Sequence, residues 1–324
     1  MTVGRSAALS DPGRRRRRNE DAYVLQPPLF AVADGMGGAQ AGEVASRLAV
    51  EALKEAGDGG EAVERVAALV QAANRRIWER AGEDASAQGM GTTMTVALVE
   101  EGEVAIGHVG DSRAYRIRDG RVEQLTDDHS LVAELMRSGK LSPEEADAHP
   151  QRSVITRALG TDPDVDVDTL QVDARPGDVF LLCSDGLTIM VDEEEILEEV
   201  ERSRGDLEGA AKALVRRANR GGGEDNITVV FFEIVEEAAA EHTEVLLPAE
   251  PEPDEDTLDE LDGIRPLERP RATDTIVVPP ERAAMIGTEP NPLDRTAKRV
   301  LVTVLVLLML AALAVVVFWW GLAS

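Results

Sequence analysis

The chain has 324 residues, 61 acidic against 34 basic, and a net charge of −27; that field repels a phosphate backbone over most of the surface and excludes a general nucleic-acid-binding protein. A hydrophobic content of 43% supports a sizeable core and excludes a chain disordered throughout. The single cysteine, Cys183, excludes an intramolecular disulfide and a cysteine-rich zinc site, and the N-terminal MTVGRSAALS has no apolar run of signal-peptide length, so this part reads as cytoplasmic.

Residues 1–235 read as globular. LFAVAD (29–34) has the pattern of a buried strand bounded by glycine. Residues 39–56 are alanine-rich with apolar positions near helical spacing, closed by Gly57, and a second helix is expected over about 61–82. Short β-type runs follow at 92–100, 103–110, 112–120 and 121–126, with Asp119-Gly120 as a hairpin signal. Residues 130–139 and 142–148 read as short helices, the second opened by Ser142-Pro143. VDVDTLQVDA and DVFLLCSD read as strands, helices are expected at about 192–203 and 206–220, and NITVVFFEIV is a last strand. Strands and helices come in runs and not in strict alternation, which argues an α+β fold with antiparallel sheets covered by helices.

The chain then changes character. Residues 238–299 hold 9 of the 16 prolines, and residues 236–299 carry 17 acidic against 7 basic side chains. This reads as a linker without sustained apolar periodicity, spanning roughly 45 Å as a flexible coil. Residues 300–320 are uncharged for 21 residues; as a helix this run would reach roughly 32 Å, enough to cross a bilayer, and the span is expected over 300–322. Trp319 and Trp320 suit one interface, and Arg295, Lys298 and Arg299 the other. The positive-inside rule then puts residues 1–299 in the cytoplasm.

Acidic clusters fall at strand ends or beside glycine: Glu20-Asp21, Asp34-Gly35, Gly110-Asp111, Asp185-Gly186 and Asp225-Asn226. Each alone reads as a turn. Together they share a pattern, in that an apolar strand abuts an aspartate at Asp34, Asp111, Asp185 and Asp225. Carboxylates so placed are fixed by buried backbone yet meet solvent, the oxygen ligands that Mg²⁺ and Mn²⁺ prefer alongside water. Gly35 would let a backbone carbonyl approach a metal closely, and two metals bridged by carboxylates can activate water for in-line attack on phosphorus.

In these stretches the chain resembles the metal-dependent serine/threonine protein phosphatases of type 2C, the PPM family, in their bacterial form. The matching motifs run in the family's order: R16-R-R-N19-E20-D21, V32-A-D34-G-M-G-G38, G91-T-T93, G110-D-S-R113, T126-D-D-H-S130, H149-P-Q-R-S-V-I-T-R-A-L-G160, L182-C-S-D-G-L187 and E224-D-N-I-T228. The resemblance implies two central antiparallel β-sheets sandwiched by helices over residues 1–237, with a mobile flap at about 130–165. It implies that Asp34 bridges two Mn²⁺ or Mg²⁺ ions, that Gly35 offers its carbonyl to one, and that Asp185 and Asp225 complete the centre. Asp21 and Glu20 would reach one metal through water, Arg16 would hold the substrate phosphate, and Asp111 with Asp185 would form a third, weaker ion site.

One position departs from the family. Some members carry a histidine after this Asp-Gly as general acid; here it is Met36, so the leaving-group proton comes from elsewhere. His129 and His149 read as structural or substrate-adjacent, and His108 as packing. Cys183 lacks an arginine six positions on, where Ile189 stands, and reads as core. The loop 35–40 fails the dinucleotide pattern at Gln40. Of the five arginines 14–18, Arg16 reads as functional and the others as solvated, a membrane-surface contact being the alternative. The linker threonines Thr243, Thr257, Thr273 and Thr275 read as ordinary polar residues or as kinase targets.

The implied function is hydrolysis of phosphoserine and phosphothreonine on proteins, serine/threonine kinases among them, at the inner face of a membrane to which the C-terminal helix tethers the enzyme. The alternative is a catalytically weak, membrane-tethered scaffold or regulator, against which the intact aspartate set counts. A phosphatase dedicated to one regulatory partner is a third reading.

Overall fold

The computed structural model describes residues 1–37, 41–54, 59–84, 87–147, 149–203, 205–236 and 276–277. The chain divides after Pro279 into two compact units, and every described residue belongs to the first. The linker expected over 238–299 lies outside the described residues except at Ile276–Val277, and the span expected over 300–322 lies wholly outside them. Among the described residues no helix is long and apolar enough to cross a membrane.

The elements in order are β1 (Thr2–Asp11), β2 (Asp21–Gln26), β3 (Leu29–Met36), α1 (Ala41–Leu53), α2 (Ala62–Glu83), β4 (Gly91–Thr92), β5 (Met94–Glu100), β6 (Glu103–Val109), β7 (Arg113–Arg118), β8 (Arg121–Gln124), α3 (Leu131–Arg137), α4 (Pro143–Asp147), β9 (Val154–Ile155), β10 (Asp168–Asp173), β11 (Val179–Cys183), α5 (Asp185–Thr188), α6 (Glu193–Arg202), α7 (Leu207–Gly221), β12 (Ile227–Val235) and β13 (Ile276–Val277). Two antiparallel sheets form, one in the order β1-β12-β11-β7-β8 and one in the order β10-β6-β5-β3-β2, with β4 on β3.

Strand alternation builds the layers, because successive side chains point to opposite faces. Phe30 and Val32 of β3, Phe180 and Leu182 of β11, and Val230, Phe232 and Ile234 of β12 point into the space between the sheets. Phe232 stacks on Phe30 at 4.2 Å between ring centroids and on Phe180 at 5.0 Å; truncating it to alanine would cost about 3–5 kcal/mol. The intervening residues turn outward under helices. Ala31 and Ala33 pack beneath α1 and α2, while Leu181, Cys183, Val229 and Phe231 pack with Leu187 of α5, Ile196 of α6 and Leu214 of α7. The expected helix–sheet–sheet–helix sandwich is thereby found.

The local signals hold where side-chain chemistry is explicit. Asp119 and Gly120 both take positive φ (51° and 71°) in the β7–β8 hairpin. Asp192 opens α6 with a full capping box to Glu195. Strands β1, β2 and β9 are absent from the expectations above. β1 shows no alternation because a register shift between Val3 and Ser6 breaks its pairing with β12, so its burial does not follow period 2. Within the residues expected to form the linker, Ile276–Val277 pair with β9.

Candidate active site

The strand registers carry the acidic motifs to one end of the sandwich. Asp21 pairs with Asp34 across β2 and β3. Asp11, which ends β1, pairs with Ile227 at the start of β12, directly after Asp225. Arg113 pairs with Cys183 across β7 and β11, which brings the 110–112 turn to the start of α5. Asp185 thus opens a one-turn helix and does not close β11.

Backbone pinning fixes Asp34. Its N–H donates to Thr93 Oγ1 (2.9 Å), and its carbonyl accepts from Thr92 Oγ1 (2.8 Å) and from Thr93 N–H (2.9 Å). The Gly91-Thr92-Thr93 motif is therefore a clamp on this aspartate. Gly110 has φ +115°, and a Cβ there would sit 2.6 Å from Thr93 Cβ; only glycine leads the chain into Asp111 this way. Gly35 is required by packing as well, since a Cβ would lie 2.3 Å from the Gly42 carbonyl and 2.5 Å from that of Glu20.

The loop before β12 is gripped on two sides. A Cβ on Gly13 would fall 2.2 Å from the Asp225 carbonyl, and one on Gly186 2.0 Å from the Asn226 carbonyl. Asn226 accepts the Glu20 N–H at Oδ1 (2.8 Å) and donates through Nδ2 to the carbonyls of Pro12 (3.0 Å) and Arg18 (2.9 Å). It holds the arginine loop against the Asp225 loop, and Arg16 Nη2 meets Asp225 Oδ2 at 2.7 Å. Asp21 Oδ2 accepts from Ser184 Oγ (2.8 Å) and Thr228 Oγ1 (2.5 Å). Asn226, Ser184 and Thr228 lie inside the sequence motifs, but only their contacts reveal their task.

The electrostatics follow from crowding like charges out of water. Burial pushes the Asp34 and Asp185 carboxyls well above the usual range, with Asp21, Asp111 and Asp225 adding to the effect. Burial likewise raises Asp21 to about 6, against the hydrogen bonds from Thr228 and Ser184, and Asp111 to about 7, with Asp128 adding and Arg113 opposing. Glu20 stands at the margin; burial raises it, while Arg16 opposes. The site thus gathers Asp21, Asp34, Asp111, Asp185 and Asp225, with Arg16 and Glu20 at its edge.

Metals fit this donor set. Asp21 Oδ1 and Asp185 Oδ1 are buried without a hydrogen-bond partner, a state that buried carboxylate oxygens rarely keep. Hard cations would satisfy both oxygens and cancel the mutual repulsion. Among the described residues no three such donors close into a ready-made cage. Beside the carboxylates lies a cavity of about 540 Å³ lined by Asp111, Arg113, Asp128, Arg152, Ser153 and Asp185. A larger groove of about 800 Å³ along α2 gathers no such cluster and lies away from the aspartates.

The flap, 130–165, is tied to this end of the sandwich. His129 exchanges two hydrogen bonds with Gly110: its N–H donates to the Gly110 carbonyl (2.8 Å), and its Nδ1 accepts the Gly110 N–H (3.0 Å). Its Nε2 meets Asp168 Oδ2 at 3.1 Å, and Asp168 also accepts from Arg157 Nη1 (2.5 Å). Burial and Arg157 lower the His129 pKa, so it is a neutral structural imidazole. His108 is buried against Thr95 and the Asp127 carbonyl and is lowered to about 4 by burial. His149 Nδ1 accepts the Gln151 N–H. Met36 packs with Ile155 and Ala158. Buried Asn74 joins α2 to the flap's end, accepting the Gly160 N–H (2.8 Å) and donating to the carbonyls of Asp162 and Pro163.

Comparison with known proteins follows the same residues. The family described as protein phosphatase 2C matches residues 14–218. The serine/threonine protein phosphatase PstP of Mycobacterium tuberculosis is 43% identical over 237 residues, 72% of this chain and 46% of that protein, so the match spans about half of that relative. The serine/threonine phosphatase stp of Listeria innocua is 42% identical over 236 residues, 69% of this chain and 93% of its own. Among solved structures, M. tuberculosis PstP superposes with a TM-score of 0.69 at 42% identity, covering 72% of this chain and 100% of that one. The PstP catalytic domain in complex with two manganese ions gives 0.67 at 40% identity, covering 73% and 100%.

Proposed function

The chain belongs to the protein phosphatase 2C family, and on that premise we propose that it hydrolyses phosphoserine and phosphothreonine on proteins and that residues 300–322 tether it to a membrane, where it opposes serine/threonine kinases. The observation that carries the reading is the convergence of Asp21, Asp34, Asp111, Asp185 and Asp225, with Asp21 Oδ1 and Asp185 Oδ1 buried and unpartnered.

Asp34, Asp185 and Asp225 would hold two Mn²⁺ or Mg²⁺ ions, with the Gly35 carbonyl on one, Asp21 and Glu20 reaching it through water, and Asp111 with Asp185 available to a third. Such ions supply a nucleophilic water at neutral pH and neutralise phosphoryl charge. The chain's own groups do the positioning. Thr92 and Thr93 hold Asp34 from both sides. Ser184 and Thr228 orient the Asp21 carboxylate so that its free oxygen faces the cluster. Arg16 stands at the site edge, where its guanidinium would meet the incoming phosphate, a planar donor suited to paired oxygens. With Met36 buried where some family members carry a histidine, and with His129 held by Gly110 and Asp168, the departing seryl or threonyl oxygen would take its proton from water.

The membrane reading is supported by the uncharged run over 300–320 with Arg295, Lys298 and Arg299 before it. Tethering would raise the enzyme's effective concentration near membrane kinases. The test is hydrolysis of a phosphothreonine peptide by the full chain in detergent, with Mn²⁺ and then with EDTA. Metal-dependent turnover is expected. A folded, metal-loaded protein with no turnover would replace the reading with that of a phosphate-signalling scaffold.

A further inference from the structure

β9 is a two-residue strand whose two edges have different partners. On one side it is fixed to the core, since Ser130 bridges Ile155 and the Thr156 N–H donates to the His129 carbonyl at 2.8 Å. On the other side it pairs in parallel with β13, Ile276 opposite Val154 and Val277 opposite Ile155. Every other strand pair among the described residues is antiparallel. A parallel pair between distant segments is strand addition, not a hairpin.

The added segment has strand chemistry in a region otherwise rich in proline and carboxylate. Residues 272–278 read ATDTIVV, with β-branched side chains at five of seven positions, between Pro270 and Pro279-Pro280. Such residues favour extended backbone, and the prolines delimit it. The 40 residues from 236 to 275, at up to about 3.3 Å each, are long enough for residues 276–277 to reach β9.

The position of β9 gives the pairing a consequence. Arg152 and Ser153, immediately before it, line the cavity that holds Asp111 and Asp185, and Arg152 Nη2 reaches Glu224, the neighbour of Asp225, at 3.2 Å. A strand laid on β9 therefore runs along the wall of the candidate active site. Its affinity comes from backbone hydrogen bonds, which any extended peptide can supply.

We propose that β9 is a docking edge for an extended peptide strand beside the catalytic cavity, and that residues 276–277 of this chain fill it in cis, so that the linker competes with the phosphorylated segments of protein substrates. The competition rests on the phosphatase reading; the docking does not. Covalent linkage gives the segment a high effective concentration at β9, and it leaves small phosphate esters, which need no strand docking, unaffected.

Two measurements on the full chain test this. Cys183 is fully buried, so an engineered cysteine pair reports without interference. Val154→Cys with Ile276→Cys is expected to form an intrachain disulfide under mild oxidant, since opposed strand residues lie within disulfide reach, whereas Val154→Cys with Ile264→Cys is not. Equal yields from the two pairs would overturn the docking. Ile276→Pro with Val277→Pro removes both strand N–H groups; it is expected to lower KM for a phosphothreonine peptide about threefold by releasing an intramolecular competitor, with p-nitrophenyl phosphate turnover unchanged. An unchanged peptide KM would overturn the competition. If the wild-type chain with Mn²⁺ hydrolyses neither substrate, the phosphatase reading and the competition built on it both fail, and the cross-link still decides the docking.

Discussion

Arg16 and Asp225 are joined by a 2.7 Å hydrogen bond, Nη2 to Oδ2, at the mouth of the aspartate cluster. A guanidinium carries five N–H donors, so a substrate phosphate would draw on the same group that Nη2 turns to Asp225. Arg16→Ala should therefore raise KM for a phosphopeptide about tenfold or more, the worth of a charge-assisted hydrogen bond, with a smaller fall in kcat. Steady-state kinetics at saturating Mn²⁺ would check it, and a loss confined to kcat would contradict a phosphate-holding role.

Asp185→Asn removes a charge from the cluster without changing volume. Turnover should fall by at least about a hundredfold through loss of a metal ligand. The metal-free variant should be no less stable than the wild type, since burial and its neighbours already disfavour the Asp185 carboxylate. Activity together with thermal unfolding in EDTA would read both arms.

The pH dependence of the metal effect has a definite sign. Asp21 and Asp111 have folded pKa values raised to about 6 and about 7 from an ordinary 3.8. Between those limits the metal-free native state binds more protons than the unfolded chain, so these groups' contribution to stability falls as pH rises through the window. Metal requires the deprotonated carboxylates and offsets that loss. The Tm difference between Mn²⁺-loaded and EDTA-treated protein should widen from pH 5 to pH 8; a difference that stays constant would mean that these carboxylates hold no ion.

Asn74 is fully buried on α2 and makes three hydrogen bonds to residues 160–163. Asn74→Ala would orphan the Gly160 N–H and cost about 2 kcal/mol, lowering Tm by roughly 4–8 °C for a domain of this size. Limited proteolysis should cut the 130–165 segment faster in the variant.

Cys183 is buried and its thiol is pushed up to about 12 by burial. A thiol reagent should leave it unlabelled in the native protein and label it fully in denaturant.

Much of this was legible before any coordinates. Continuous apolar runs announced β3, β5, β6, β11 and β12, because both faces of each strand are covered. The aspartates were legible because each abuts a strand or a glycine. β1 was not, since a register shift and small residues blur its alternation, and β2 was not, since its residues are mostly half-buried. Nor could the sequence say what Thr93, Ser184, Thr228 and Asn226 hold, because the groups they hold lie 59 to 214 positions away. The role of Gly35 also changed in kind: its missing side chain is demanded by the approach of the Gly42 and Glu20 carbonyls, whatever its own carbonyl binds.

β1 pairs along its length with β12, so once it has left the ribosome it must wait for the last strand of the sandwich. At about 5–20 residues per second, the 216 residues between Asp11 and Ile227 take roughly ten to forty seconds to make. Through that interval β1 has no neighbour in its sheet, and the arginine loop after it has no Asn226 to hold it. The catalytic end of the molecule is thus assembled in one late step, when the final strand closes the sheet and brings Asp225 with it. A nascent chain stalled before residue 225 would carry four of its five aspartates and no working site.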